Sequence, residues 1–455
     1  MTLEIGYEGD KLVLPEMVCE CGMIHQIPDM DIYIGKDILS KCAQYVTPRQ
    51  LGKKALLITD NILYDIAGKE AESVFQEAGY QVVLCRLDRE GELIPDREAV
   101  GEILLAMEED IDFFIAVGSG SINDLARYVA FHTGRPFVSI GTAASMDGYT
   151  SVIAPLLDGN LKVNKPASYP LVLICDLDIM KDAPYEMHLA GFGDVLGKYI
   201  AKADWLFGEI VNEEPYCPTC AEMISQALSK CVQHVDGIID RTDEGVQSLI
   251  EGLILAGLTI LIIGNTRAVA SNEHNMAHYW EMMKLLRNEK PASHGMSVGV
   301  ATGYAIRFYE YFLSYDMSKL DPDKILAQRL PEEERRKVVL QKYGPKVGPS
   351  IIRDNPMELP EGEEHKRRIT RITNEIGRIR KELDFIPSWK QVKQIYEKMG
   401  FPISSDQIGI DKELLKDAML YAKDYRDRYS VFKAANELGI LEELMEMVIN
   451  DIDML

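Results

Sequence analysis

The stretch Asp112-Phe113-Phe114-Ile115-Ala116-Val117-Gly118-Ser119-Gly120-Ser121-Ile122-Asn123-Asp124 decides the fold. Residues 112–117 are a strand-length run rich in aromatic and β-branched side chains. Glycines at 118 and 120 follow, and Ser121 to Phe131 reads as helix. A strand that ends in a Gly-rich turn and opens a helix points backbone N–H groups at an anion, a geometry suited to a pyrophosphate. The turn is not Gly-x-Gly-x-x-Gly, so the usual dinucleotide fingerprint is absent, and a tight turn without ligand is the alternative.

Moving outward, residues 54–59, 81–86, Pro136 to Ile140 and Leu171 to Asp176 are further short apolar runs. Leu63 to Ala78 and Asp96 to Glu109 lie between them as helix-like stretches. Continuous apolar strands separated by helices imply a parallel sheet covered on both faces. The expected fold is therefore α/β: a Rossmann-like parallel sheet over residues 1–180, followed by a mostly α-helical domain over 181–455. In that second part the periodicity predicts helices at 221–242, 244–264, 269–287 and 296–315, and again beyond 411. The charged, Pro-containing segment from about 320 to 390 reads as a peripheral insertion of exposed helices, with a mobile loop around Asp354 to Glu364.

The crevice beyond the carboxyl ends of the strands is where such sheets hold ligands. Ile140-Gly141-Thr142-Ala143-Ala144-Ser145-Met146-Asp147-Gly148 begins at one of those ends. Asp60 ends another, where it is placed either to accept from ribose hydroxyls or to cap the next helix.

Asp194 (in Gly191-Phe192-Gly193-Asp194), His274 and His294 are the second constellation. One carboxylate and two imidazoles can hold a divalent ion and leave coordination positions open. His274 and His278 are four apart and share a helix face. The plainer alternatives are a helix N-cap for Asp194, at the start of its helix, and core histidines. Zn, Ni and Fe(II) all suit such mixed donors.

Composition narrows the function class. At 455 residues there is room for two or three domains. The net charge of -23 argues against nucleic acid and anionic membranes as partners. No run of about 18 uncharged apolar residues suggests a membrane span, and Leu253 to Gly264 reads as a buried helix. Met1-Thr2-Leu3-Glu4-Ile5 shows no signal-peptide pattern, and the cytoplasm is the expected location. Eight cysteines are too few for a disulfide scaffold. Cys19-Glu20-Cys21 with His25, and Cys217-Pro218-Thr219-Cys220, read as reduced thiols. A metal reading requires the two pairs to meet.

Jointly, these motifs resemble the iron-containing alcohol dehydrogenase and dehydroquinate synthase-like superfamily, and within it the sn-glycerol-1-phosphate dehydrogenase family, especially its bacterial branch. The resemblance runs from about Cys19 to Tyr309 and returns near Arg426-Asp427-Arg428-Tyr429. It implies that Asp194, His274 and His294 bind the metal. It implies NAD(H) or NADP(H) contacts at Gly118, Ser119, Gly120, Ser121, Ile122, Thr142, Ala143, Ala144, Ser145 and Ser151, with Asp60 on the adenosine side. Asp147 and His278 match substrate-contacting positions, as does Asp194, and the first two are the candidate catalytic groups. The implied reaction is reversible reduction of dihydroxyacetone phosphate, a small phosphorylated triose, by a homodimer or larger homo-oligomer. Lys162, Lys165 and Arg267 are candidates for the substrate phosphate, with ordinary surface charge as their alternative. Ser119, Gly141 and Asn272 depart from the family's usual residues. A polyol dehydrogenase, a sugar-phosphate cyclase and a non-catalytic binding protein on the same scaffold are the rival readings.

Overall fold

The computed structural model describes residues 5–14, 19, 21–22, 25, 28–159, 161–355 and 360–453. The strands are β1 (Gly6–Glu8), β2 (Lys11–Val13), β3 (Asp31–Gly35), β4 (Lys54–Asp60), β5 (Gln81–Leu87), β6 (Phe113–Gly118), β7 (Phe137–Gly141), β8 (Ile153–Asp158), β9 (Leu161–Pro166) and β10 (Val172–Asp176). Among the described residues, eight form one sheet in the order β1-β2-β3-β10-β7-β6-β4-β5. From β3 to β5 every pairing is parallel, and β1 and β2 add an antiparallel edge. The five apolar runs read from sequence are β4, β5, β6, β7 and β10.

Alternation of side chains sends β4 and β6 residues to opposite faces. Leu56, Ile58, Phe114 and Ala116 pack on one face with Leu125 and Val129 of the helix Gly120–Thr133. Ala55, Leu57, Phe113 and Ile115 pack on the other with Phe75 and Val46. That double cover is why these strands read as unbroken apolar runs. The sequence reading missed β1, β2 and β3, and also the separate antiparallel hairpin β8–β9. Three-residue strands carry no period, and β9 (Leu-Lys-Val-Asn-Lys-Pro) has an exposed C-terminal half and no apolar continuity.

The chain divides into two compact units, Met1–Val195 with Thr219–Asn265, and Leu196–Pro218 with Thr266–Leu455. The stretches alternate along the chain, Thr219–Asn265 returning to the first unit, where sequence texture suggested a single boundary near residue 180. The reason is the helix Asp243–Ile263, which is buried almost all round and packs on the turn Asp147–Thr150 of the sheet unit. By length and apolarity this helix could cross a membrane, but 83% of its most apolar window is buried within the fold. At Gly257 a Cβ would lie 2.2 Å from Thr150 Oγ1, so only glycine permits the approach.

The second unit is helical among its described residues. Its 320–390 segment corrects the expectation of a peripheral insertion. The helices Glu332–Asp354 and Gly362–Glu382 bury Val339, Tyr343, Ile369, Ile372 and Ile379. Arg335 pairs with buried Asp424 at 2.7 Å, and Arg371 Nε donates to the Ile210 carbonyl at 2.9 Å. The charge-rich surface of these helices hid an apolar stripe from the sequence reading. The loop expected around 354–364 lies partly outside the described residues, at 356–359.

Candidate functional site

The first unit carries the candidate nucleotide residues. Asp60, Gly118 and Gly141 end the adjacent parallel strands β4, β6 and β7. The two turns beyond β6 and β7 are joined, because Thr142 N–H donates to the Gly118 carbonyl at 3.2 Å. Buried Tyr149 donates to the Ala143 carbonyl at 2.9 Å and fixes the second turn. Ser119 precedes the helix Gly120–Thr133, so Gly120, Ser121 and Ile122 form its first turn, where N–H groups lack intrahelical acceptors. Gly118 must be glycine, since a Cβ would come 2.6 Å from Ile122. Ser151 Oγ accepts from Ile153 N–H at 3.1 Å. Asp60 caps its helix, with Oδ1 accepting from Ile62 and Leu63 N–H at 2.9 and 2.7 Å. Capping occupies one oxygen, so the two roles weighed for Asp60 are compatible.

Beneath this turn lie residues the sequence reading passed over. Arg127 is fully buried and donates to the Ile153 carbonyl at 3.1 Å, with Asp124 3.5 Å away. Burial pushes the Asp124 carboxyl up to about 6, with Arg127 and Lys162 opposing. Both side-chain amide atoms of Asn123 are buried without a hydrogen-bond partner among the described residues. An orphaned buried amide at a helix start is costly and fits a polar ligand at this turn.

Asp194 also stands in the first unit. It is fully buried, and Oδ2 accepts from Asp147 N–H at 3.0 Å. It is not at a helix start, as the sequence suggested. Its helix spans Tyr185–Asn212, so Asp194 lies well inside it. Gly191 and Gly193 are helical residues; at Gly191 a Cβ would sit 2.0 Å from the Ala144 carbonyl oxygen. From Leu196 onward the same helix belongs to the second unit.

The second unit holds the histidines. His274 and His278 lie on the helix Asn272–Leu286, and His294 is the first residue of the helix His294–Ser314. The rings of His274 and His294 are 5.4 Å apart, and those of His278 and His294 stack at 5.1 Å. Two carboxylates orient them. His274 Nδ1 is 2.7 Å from Glu273 Oε1, and His294 Nδ1 is 2.8 Å from Glu281 Oε1. A proton held at Nδ1 by a carboxylate leaves Nε2 as the donor atom for a metal and raises its basicity. His278 Nδ1 is 3.6 Å from the other oxygen of Glu281. The sequence reading missed Glu273 and Glu281. The i, i+3 spacing of His278 and Glu281 was the available signal.

A buried network positions this helix start. Asp204 accepts from Ser271 Oγ at 2.7 Å, Tyr309 Oη at 2.5 Å and Val431 N–H at 2.8 Å. Burial pushes Asp204 up to about 6. Arg267 pairs with Glu214 at 2.9 Å and donates to the carbonyls of Asp204 and Tyr429, both at 2.8 Å. That makes it a strut of this loop. The helix continuing from Asp194 packs here too: a Cβ on Gly197 would lie 3.3 Å from Glu273 Cγ and 2.8 Å from Val298.

Comparison with known proteins follows the same lines. Residues 33–184 match the family model for iron-containing alcohol dehydrogenase. The chain is 30% identical to a glycerol-1-phosphate dehydrogenase [NAD(P)+] of Bacillus licheniformis, over 94% of both chains. The chain belongs to the glycerol-1-phosphate dehydrogenase family. A Bacillus subtilis (strain 168) member is 29% identical over 90% of this chain and 91% of its own. A Methanosarcina acetivorans member is 28% identical over 61% and 75%. Among solved structures, a probable glycerol dehydrogenase from Sinorhizobium meliloti 1021 superposes with a TM-score of 0.60 at 16% identity, covering 93% of this chain and all of its own. A 1,3-propanediol oxidoreductase gives 0.62 at 17%, covering 94% and 100%. These superpositions establish the fold.

Proposed function

We propose that this family member reduces dihydroxyacetone phosphate to sn-glycerol 1-phosphate, and catalyses the reverse, with NAD(H) or NADP(H) and one divalent metal. Asp194, His274 and His294 are the metal's ligands in this reading. One observation carries it: both imidazoles have Nδ1 anchored by a buried carboxylate, Glu273 or Glu281, a donor set made for a cation. The relatives' shared designation supplies the substrate and cofactor class. When bound, the metal supplies Lewis-acid polarisation of a carbonyl oxygen and the nicotinamide supplies the hydride. Asp147 orients a substrate hydroxyl. His278, one turn from His274 and with Nδ1 3.6 Å from a Glu281 oxygen, delivers the proton that completes the alcohol. The turns at Gly118 to Ile122 and Thr142 to Ser145, with Ser151 and Asp60, hold the dinucleotide.

The substrate phosphate belongs at Arg426 and Arg428. Both guanidinium groups converge on one oxygen, Thr266 Oγ1, at 3.2 and 2.6 Å, and Arg428 also donates to the Ala270 carbonyl at 2.9 Å. Neither forms an ion pair among the described residues. Burial, with Arg426 and Arg267 alongside, pushes Arg428 down to about 9. Two cations sharing a neutral acceptor call for an anion. The neighbouring Tyr425 ring lies 5.5 Å from that of His278. Lys165, exposed on β9, and the strut Arg267 are weaker candidates. The proposal extends to a homo-oligomer acting in the cytoplasm on this small-molecule substrate.

The test strips the metal, restores Ni, Zn or Fe(II), and follows NADH oxidation with dihydroxyacetone phosphate beside dihydroxyacetone. Metal-dependent turnover favouring the phosphate is expected, and Arg428→Lys should raise KM for the phosphate by about 10- to 100-fold while leaving that for dihydroxyacetone in place. Preference for the unphosphorylated ketone would move the chain to the polyol dehydrogenases.

A further inference from the structure

Within the second unit, the two helices Glu332–Asp354 and Gly362–Glu382 grip both ends of the stretch that carries Arg426 and Arg428. After Tyr421 that stretch makes one short turn, Ala422–Asp424, and then runs on without regular structure to Ser430. Irregular backbone must find its hydrogen bonds elsewhere. The Tyr421 carbonyl accepts from Tyr343 Oη at 2.8 Å, and the Asp424 carbonyl accepts from Asn355 Nδ2 at 3.1 Å. The Arg426 carbonyl accepts from Lys433 Nζ at 3.1 Å, and the Tyr429 carbonyl from Arg267 at 2.8 Å. Two ion pairs lock the ends. At the front, Arg335 Nη1 is 2.7 Å from Asp424 Oδ1, and Arg335 Nη2 donates to the Asn355 carbonyl at 3.0 Å. At the back, Arg368 Nη1 is 2.5 Å from Glu437 Oε1, and the other Glu437 oxygen accepts from Tyr429 Oη at 2.7 Å. The Arg368 guanidinium also lies 5.3 Å from the centre of the Tyr429 ring, a cation–π distance. Arg335, Asp424 and Glu437 are all buried.

Arg426 and Arg428 meet at one oxygen, Thr266 Oγ1. Like charges held so close repel, and an unrestrained loop would part them. A buried ion pair adds little net stability over apolar side chains of the same size, so its use here is to fix geometry. A site set before its ligand arrives loses less binding free energy to ordering. We propose that the Arg335–Asp424 and Arg368–Glu437 pairs clamp this loop and hold Arg426 and Arg428 preset for a phosphate monoester, which makes Arg335 and Arg368 positioning residues for the phosphorylated substrate. Both act through the loop rather than on the substrate itself. This role rests on the placement of the substrate phosphate at Arg426 and Arg428. It gives the charge-rich segment between 332 and 382 a part in selecting the substrate.

The experiment uses the full, metal-loaded chain and follows NADH oxidation with dihydroxyacetone phosphate and with dihydroxyacetone. Arg368→Met/Glu437→Gln removes both partners of one pair, so that no buried charge is stranded. Its KM for dihydroxyacetone phosphate should rise about tenfold, because the loop must then be ordered on binding. Tyr343→Phe loses one hydroxyl and should raise that KM about threefold. In both variants kcat, KM for dihydroxyacetone and metal content should stay as in the parent chain. Inorganic phosphate should weaken as a competitive inhibitor in step with KM. Should the double variant fail to fold, Tyr343→Phe decides alone. A KM that rises equally for both ketones, or a fall in kcat with phosphate inhibition unchanged, overturns the proposal, since a merely structural role gives those results. Arg428→Lys is measured alongside. If it raises KM for the phosphate and the clamp variants do not, the clamp alone is overturned. If Arg428→Lys leaves that KM unchanged, the phosphate binds elsewhere and the clamp falls with its site.

Discussion

The candidate nucleotide turns and the histidine cluster are built from different materials. The first is mostly backbone: a carbonyl of Gly118 answered by Thr142 N–H, a helix start at Gly120, and glycines where a Cβ cannot fit. The second is mostly charge: Glu273 on His274, Glu281 between His278 and His294, and Asp204 and Arg267 holding the loop before them. A dinucleotide is a long ligand recognised by many N–H dipoles, which glycine-rich turns expose. A metal is a point charge that needs a few donors held stiffly, which buried carboxylates provide.

The contrast can be broken at several strengths. His274→Ala should remove metal and activity together, a loss of about a thousandfold or more, whereas His278→Ala should keep the metal and slow turnover; metal content by atomic spectroscopy beside kcat separates them. A His278→Ala protein without metal would mean the ligand roles are exchanged. Next, Gly191→Ala forces a methyl against the Ala144 carbonyl and should cost about 3 kcal/mol of stability. Urea unfolding checks it, and an unchanged midpoint would show that the turn yields. Glu281→Gln should weaken metal binding by about 10- to 100-fold with nucleotide affinity intact, read by chelator competition and NADH fluorescence. Equal loss of both would erase the distinction between the two regions.

The smallest effect is a pH dependence. Asp124 titrates near 6 when folded, because burial raises it, against about 3.9 when unfolded. The folded state therefore holds an extra proton between these values, and this contribution to stability is present below about 4 and fades as pH rises through 6. Asp124→Asn should gain stability relative to the parent chain on going from pH 5 to pH 7. The opposite trend in urea midpoints would place Asp124 in a stronger ion pair with Arg127.

Legibility in the sequence followed the same contrast. The five apolar runs named strands of the parallel sheet because a doubly covered strand has no polar alternation to blur it. Gly118 through Ile122 were readable because a strand, a glycine turn and a helix are contiguous. The three-residue strands β1 and β2 were not, having too few residues to show a period. Nor was the burial of the helices between 332 and 382, where charged faces outnumber the apolar stripe.

The sequence by itself determined the alternating α/β texture of the first part, the helical second part and the placement of His274 and His278 on one helix, because these depend on neighbours in the chain. Only the tertiary structure decided the rest. It returned Thr219–Asn265 to the first unit, with a helix buried almost all round, and drew Arg426 and Arg428 onto Thr266 from about 160 residues away. It likewise brought Cys19 to Thr219. Contacts between residues so distant in sequence leave no local pattern; they are set by which apolar faces must be covered, and those faces meet only when the whole chain packs.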